Sequence, residues 1–437
     1  MDPARLPTAV EPAPWLRYAA LYQLNTRQFT PEGTLRAAAA HLPRIADLGA
    51  TVVWLMPVHP IGEANRKGTL GSPYAVRDYH AVNPELGTLD DLRAFVEAAH
   101  ARGLRVILDW VANHVAPDSA LAAEHPEWLA RDAGGRLRPT PWSDWDDVVD
   151  LDWSHPGLWR YMEDALAFWV READVDGFRC DVAGYIPTAF WEGVRSRLWR
   201  QKPVFLLAEW EARDLHTGAF DATYAWSWYD ALLAVARGEA DAYALREVLR
   251  THVKAWPRGA MRMAFVANHD KNAWDGTAPE RFGAAHDAAV AFTALAGDVP
   301  LVYTSQEVGE PRRLAFFERD PVEWGTSGAG EAAPHPAADL YRRLFRLRRE
   351  TPALGNGAWG GVIEEVPVSA PEAALAFTRA GGESTVLAMF NLSPEAREVS
   401  LRGAPGLWRD AFTGEAVEVS PQVPLTIGPW GWRAFVQ

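Results

Sequence analysis

Val106-Ile107-Leu108-Asp109-Trp110-Val111-Ala112-Asn113-His114 is an apolar, β-branched run that ends in side chains able to do chemistry. The same grammar recurs three times: Gly177-Phe178-Arg179-Cys180 leads into Asp181, Phe205-Leu206-Leu207-Ala208 into Glu209, and Ala264-Phe265-Val266-Ala267 into Asn268-His269-Asp270. Runs this apolar predict strands buried on both faces. The stretches of helical period between such runs, among them Leu35–Leu48, Leu89–Arg102, Leu158–Glu172, Ala242–Val253 and Ala284–Ala296, predict crossover helices and a parallel sheet.

Eight strands are predicted, over Tyr18–Leu24, Thr51–Met56, Leu104–Leu108, Gly177–Cys180, Val204–Ala208, Ala222–Ala225, Met261–Val266 and Val299–Tyr303. Eight βα repeats in series close into a (β/α)8 TIM barrel, whose active site sits where strands end and loops begin. A doubly wound open sheet is the alternative. It calls for a glycine-rich turn after the first strand, and Gln23-Leu24-Asn25-Thr26 is not one.

Two segments break the rhythm. Between the third and fourth strands the chain runs far beyond one connection and one helix, which predicts a short inserted subdomain. After Asn356, short alternating strands and turns predict a C-terminal antiparallel β-sandwich. The expected units are 1–114 and 176–354 for the barrel, 115–175 for the insert and 355–437 for the sandwich. Gly325–Pro336 reads as a loop by composition.

Across 437 residues the formal net charge is −14, which repels nucleic acid and anionic membrane surfaces. Tryptophan occurs 21 times, and its flat, polar-edged ring suits the apolar face of a sugar as well as a core. The single cysteine, Cys180, allows no intramolecular disulfide and no cysteine-based zinc site; flanked by apolar residues, it reads as inert core. Met1–Trp15 holds four prolines and no apolar h-region, and no later run is long enough to span a bilayer, so a soluble, cytoplasmic location is expected.

Asp181 and Glu209, at the ends of neighbouring barrel strands, face each other across a substrate, and two such carboxyls are what cleavage of a glycosidic bond needs. Arg179 lies two residues before Asp181 and so on the same strand face, where its cation is expected to lower the Asp181 pKa while that of the partner acid is raised. Asp109, just inside its strand end, reads as a structural partner for an arginine. Glu211 and Asp214 read as loop charges.

The four segments, in this order and at these strand ends, resemble the signature regions of the α-amylase family of glycoside hydrolases. The resemblance covers Tyr18 to Leu354 and implies Asp181 as nucleophile, Glu209 as proton donor and Asp270 as a third carboxylate that binds and distorts the sugar. It further implies that His114 and His269 bond sugar hydroxyls, that Arg179 orients Asp181, and that Tyr74, in Gly71-Ser72-Pro73-Tyr74, is the aromatic platform beneath the sugar. Ser305 stands where a glycine is common in the family.

No cofactor is required for this chemistry. Calcium is possible, because the family often uses the asparagine equivalent to Asn113 as a ligand, but Ala183-Gly184-Tyr185 departs from the further ligands. The implied partner is an oligosaccharide with α-glucosidic bonds, cleaved with retention. A transglycosylase on the same site and a non-catalytic glucan-binding relative are the alternatives; the second should have lost one of the three carboxylates. A phosphate-binding barrel enzyme is disfavoured by the lack of a glycine-rich phosphate loop late in the barrel. Trp142 or Trp145 of the insert is expected to stack on a sugar unless both fill the insert's own core.

Overall fold

The computed structural model describes residues 6–141, 143–324 and 335–437. Eight parallel strands form a closed barrel: β1 (Leu21–Leu24), β2 (Val52–Leu55), β3 (Arg105–Val111), β4 (Gly177–Asp181), β5 (Phe205–Ala208), β6 (Ala222–Tyr224), β7 (Met261–Ala264) and β8 (Val299–Tyr303). Their order around the ring is β1-β8-β7-β6-β5-β4-β3-β2, and β1 closes it by pairing Leu21 with Leu301 on one side and with Val52 on the other. Nearly every strand residue is buried, as the unbroken apolar runs require.

The predicted boundaries shift where local chemistry intervenes. Tyr18 lies in a 3-10 turn, Pro14–Tyr18, because Pro14 presets a helical φ at its first position, and the strand begins only at Leu21. In the other direction β3 runs on to Val111, past Leu108, since Asp109 and Val111 pair with Arg179 and Asp181 of β4. That extension places Asp109 inside the ladder, directly beside the arginine.

After β3 the chain forms a two-stranded ribbon, His114–Val115 against Val149–Asp150, with a short helix Ala120–Glu124 between the two strands. Helix Pro156–Ala173 then packs between helices Leu89–His100 and Thr188–Trp199 as part of the outer ring. Within the span 115–175, the residues before Pro156 are therefore those that stand over the barrel mouth. Helix Leu89–His100 starts on a capping box in which Thr88 and Asp91 satisfy each other's backbone amides.

The C-terminal domain is a six-stranded antiparallel sheet, in the order β9 (Val362–Glu365), β10 (Ala374–Gly381), β11 (Ser384–Asn391), β16 (Trp432–Val436), β13 (Gly406–Asp410) and β14 (Ala416–Val419). A pair, β12 (Arg397–Val399) and β15 (Leu425–Ile427), completes it. The period of two sorts its core. Leu387 and Met389 join Val399 and Ile427 in a small core of the domain itself, while Val386, Ala388 and Phe390 face the barrel. Arg379 of β10 reaches across that junction and donates to the carbonyls of Leu295, Gly355 and Gly361 at 3.2, 3.0 and 3.0 Å. Among the described residues no helix is long and apolar enough to cross a membrane. The stretch read as a loop at 325–336 lies, up to residue 334, outside the described residues.

Candidate active site

At the C-terminal mouth of the barrel lies a cleft of about 600 Å³, lined among others by Tyr74, His114, Asp181, Glu209, His269 and Asp270. Asn113 lies at the base of the insert, next to His114, and lines a neighbouring groove. The organising group is Arg179, wholly buried on β4. Its Nη1 donates to Asp109 Oδ1 at 2.7 Å and to Asp181 Oδ1 at 2.8 Å, its Nη2 lies 2.7 Å from Glu209 Oε1, and its Nε donates to Tyr224 at 3.2 Å. One guanidinium thus joins residues borne on β3, β4 and β6 and at the end of β5. Such a planar fork serves several carboxylates where a point charge would not.

Asp109 is the structural partner expected of it. Its second oxygen accepts from Trp54 Nε1 at 3.1 Å and from the Tyr74 hydroxyl at 3.0 Å. The chain of bonds continues outward: the Tyr74 hydroxyl lies 2.6 Å from His269 Nε2, and His269 Nδ1 lies 2.7 Å from Gln23 Nε2. Since the Gln23 amide donates, His269 carries its proton on Nε2 and gives it to Tyr74. Burial drives His269 and His114 down to about 4, so both rings are neutral near pH 7. Asn113 Nδ2 lies 3.2 Å from His114 Nδ1, and His114 Nε2 lies 3.9 Å from Asp181 Oδ2.

Val182, immediately after Asp181, has φ +36° and ψ +45°, a left-handed conformation that is strained for a β-branched residue. Its N–H donates to Glu209 Oε2 at 2.9 Å, so the strained turn helps fix the second carboxylate. Ser305, at the position where glycine is common, also adopts a positive φ, of +68°, which accounts for the glycine preference there.

Electrostatics corrects one expectation. Burial raises Asp181 to about 6 against the downward pull of Arg179, so the arginine does not hold this carboxyl below the usual range. Glu209 is raised further, to about 8, by burial and then by the negative charges of Asp181 and Asp270, with Arg179 opposing. The order of protonation, Glu209 above Asp181, is the one expected. Asp270 is the most open of the three, its side chain 37% exposed and 3.4 Å from His269 Nε2.

The Asn113 neighbourhood does not fit a calcium ion. Asn113 Nδ2 donates to Asp150 Oδ1 and to Thr140, each at 3.1 Å, and the Arg138 guanidinium lies 3.5 Å from Asp150 Oδ2. A hard cation wants six to eight oxygens, whereas N–H groups surround this one carboxylate. Among the described residues no group of three or more acidic, histidine or cysteine side chains is arranged to hold a metal. Glu211, read as a loop charge, instead pairs with the buried Arg262 and accepts from Ser227 N–H at 2.8 Å.

Trp142 lies outside the described residues. Trp145 lines the cleft, 5.5 Å from the His114 ring, and packs on a small cluster that joins Ile61 and Ala75 of the loop after β2 to Ala116 and Val148 of the insert. Sequence reasoning missed Gln23, Trp54 and Tyr224, which hold the site, and Lys67, Trp274, Phe316 and Phe317, which line it. A polar Gln23 inside an apolar strand was a legible signal; the aromatics in loops carried none.

Residues 18–145 and 142–203 match the family model described as the alpha amylase catalytic domain, and residues 363–433 match that of the maltogenic amylase C-terminal domain. An alpha-amylase from Lactobacillus plantarum superposes with a TM-score of 0.84 at 30% identity, over 97% of this chain and 99% of that one. The chain belongs to the alpha-amylase family. A maltogenic alpha-amylase from Thermotoga neapolitana is similar to the same degree, with a TM-score of 0.85, 29% identity and coverage of 96% and 98%. A maltosyltransferase from Myxococcus xanthus, named for alpha-1,4-glucan and maltose-1-phosphate, is 30% identical to this alpha-amylase family enzyme over 94% of the chain, which spans 65% of that protein's length.

Proposed function

We propose that the enzyme is a retaining hydrolase of α-glucosidic bonds in maltooligosaccharides. The observation that carries this reading is the pairing of Asp181 and Glu209 on opposite arms of the buried Arg179 guanidinium, with Glu209 the more readily protonated of the two. In the first step Glu209 gives its proton to the glycosidic oxygen as Asp181 attacks the anomeric carbon, forming a glycosyl ester and freeing the leaving sugar. In the second, Glu209 takes a proton from water, whose oxygen displaces Asp181. Asp270, His114 and His269 line the same space, where the Asp270 carboxylate and the His114 ring meet the sugar's hydroxyls while the His269 Nε2–H stays on Tyr74. No metal or cofactor enters either step.

The name of the Myxococcus relative raises a second reading, maltosyl transfer involving a phosphate ester. The charge in the cleft speaks against it. Asp144, Asp147, Asp181 and Asp270 line the space, and Lys67, its Lys/Arg cation among the described lining residues, is already engaged by Asp146 and Asp147. A phosphate dianion there meets like charge in a poorly solvated site.

Proton magnetic resonance of fresh product from maltoheptaose is expected to show the α-anomer first. Initial appearance of the β-anomer would rule out the covalent route, and release of inorganic phosphate from maltose 1-phosphate in the presence of a glucan would move the enzyme to the transferase reading. The pH profile of kcat/KM is a separate check. Turnover needs Asp181 ionised and Glu209 protonated, so activity should rise as pH passes about 6 and fall as it passes about 8. A plateau extending well above the upper limb would remove Glu209 from the role of acid.

A further inference from the structure

Residues 65–70, in the loop after β2, cross the barrel mouth and are tied down at both ends. Toward the insert, Asn65 Nδ2 donates to the Asp146 carbonyl at 3.1 Å, and Lys67 donates to the Asp144 carbonyl. The Lys67 ammonium also lies 3.3 Å from Asp146 Oδ1 and 3.6 Å from Asp147 Oδ1, the second of these on a side chain only 5% exposed. Toward the loop after β8, the Thr69 N–H donates to Glu318 Oε1 at 2.8 Å, its hydroxyl bonds the other Glu318 oxygen, and the Leu70 N–H donates to the Phe317 carbonyl at 3.1 Å. From beneath, Arg27 Nη1 donates to the Gly71 carbonyl at 2.9 Å.

Contact at the middle is as close as backbone allows. Gly68 has φ +62°, and a Cβ there would stand 2.6 Å from both Phe317 Cβ and Glu318 Oε1, so only glycine lets the segment lie flat on the β8 loop. The segment is a strap joining the insert to the β8 loop. Lys67 of the strap and Asp144 and Phe317 at its anchor points line the cleft, so the strap is part of its wall.

Barrel topology decides which end it closes. In the ring order, β5 stands opposite β1, and β1 is flanked by β2 and β8. Glu209 follows β5, whereas the strap and its anchor Phe317–Glu318 follow β2 and β8. On the proposed mechanism the acid protonates the departing sugar, which therefore leaves on the β5 side; the glycosyl part retained on Asp181 points toward the strap. At that end Trp274 is also found, 55% exposed although it lines the cleft, on a π-helical turn (Lys271–Asp275) directly after Asp270. Its ring is 5.4 Å from Phe316 and 5.8 Å from Phe317, which gives an aromatic face at the closed end for one more sugar ring.

We propose that the strap 65–70 shuts the donor end of the cleft, so that the enzyme removes short units from non-reducing ends and does not cut within a chain. This rests on the hydrolase reading above, and the test separates the two. Para-nitrophenyl maltoheptaoside is compared with the same substrate carrying an ethylidene group on its non-reducing terminal glucose, and products are read by mass spectrometry. The expected result is cleavage of the open substrate at one fixed short distance from its non-reducing end, with the blocked substrate turned over roughly tenfold more slowly or worse. Equal rates, or scattered cleavage positions, would overturn the strap's role while leaving the hydrolase intact. No turnover of either substrate would overturn the hydrolase reading and the strap proposal with it. In a second arm Lys67→Ala with Thr69→Val frees the strap, and the blocked-to-open rate ratio should rise several-fold at unchanged Tm. An unchanged ratio in the folded variant counts against the proposal; Glu318→Gln, which keeps the side chain's shape, takes its place if the double variant does not fold.

Discussion

Asp181→Asn should abolish turnover, with a loss of the order of 10⁴-fold or more in kcat on maltooligosaccharides, while the protein keeps its fold. The amide has the carboxylate's shape but cannot form the glycosyl ester. Its neighbours make a structural excuse implausible: Asp181 sits at a strand end beside a strained Val182, and its Oδ1 bond to Arg179 survives, because the amide oxygen still accepts from Nη1. Removing one buried negative charge that burial disfavours should leave Tm unchanged or raise it, the usual trade between activity and stability. A clean Asp181→Asn preparation with near-normal kcat would remove this residue from the mechanism.

The second large effect is on stability. Arg179→Met should lower unfolding free energy by roughly 3–5 kcal/mol, the cost of leaving buried carboxylates without their cation, and Tm by roughly 3–5 °C. Asp109 suffers most: it is wholly buried and burial already raises it to about 6 with the arginine present. Adding Asp109→Asn to Arg179→Met should recover part of the lost stability but none of the lost activity, since Asp181 and Glu209 remain unpaired. Arg179→Lys is expected to rescue little, because one ammonium cannot reach three carboxylates and Tyr224 at once. Urea unfolding followed by tryptophan fluorescence gives the numbers, and an unchanged midpoint for Arg179→Met would mean that the carboxylates are not held as charges.

The barrel was legible because each strand is buried on both faces and so must be written as an apolar run, and because a polar group ending such a run has nowhere to go but the barrel mouth. Asp181, Glu209 and Asp270 were readable for that reason, and Arg179 through the two-residue period of a strand. The lengthening of β3 was not readable, since it depends on pairing with β4, a strand more than sixty residues away.

What the sequence by itself determined is the set of strand-end groups and the chemistry they can perform, because local period and burial fix where a side chain points. What only the tertiary structure decided is how those groups are balanced and enclosed. Asp181 is raised rather than lowered because desolvation is a property of everything packed around it. Asn113 donates to Asp150, which the Arg138 guanidinium also approaches, because the insert folds back onto the end of β3 there. The strap 65–70 becomes a wall because its partners, Asp144–Asp147 and Phe317–Glu318, lie about 80 and 250 residues further along the chain, and no local pattern records a contact made at that separation.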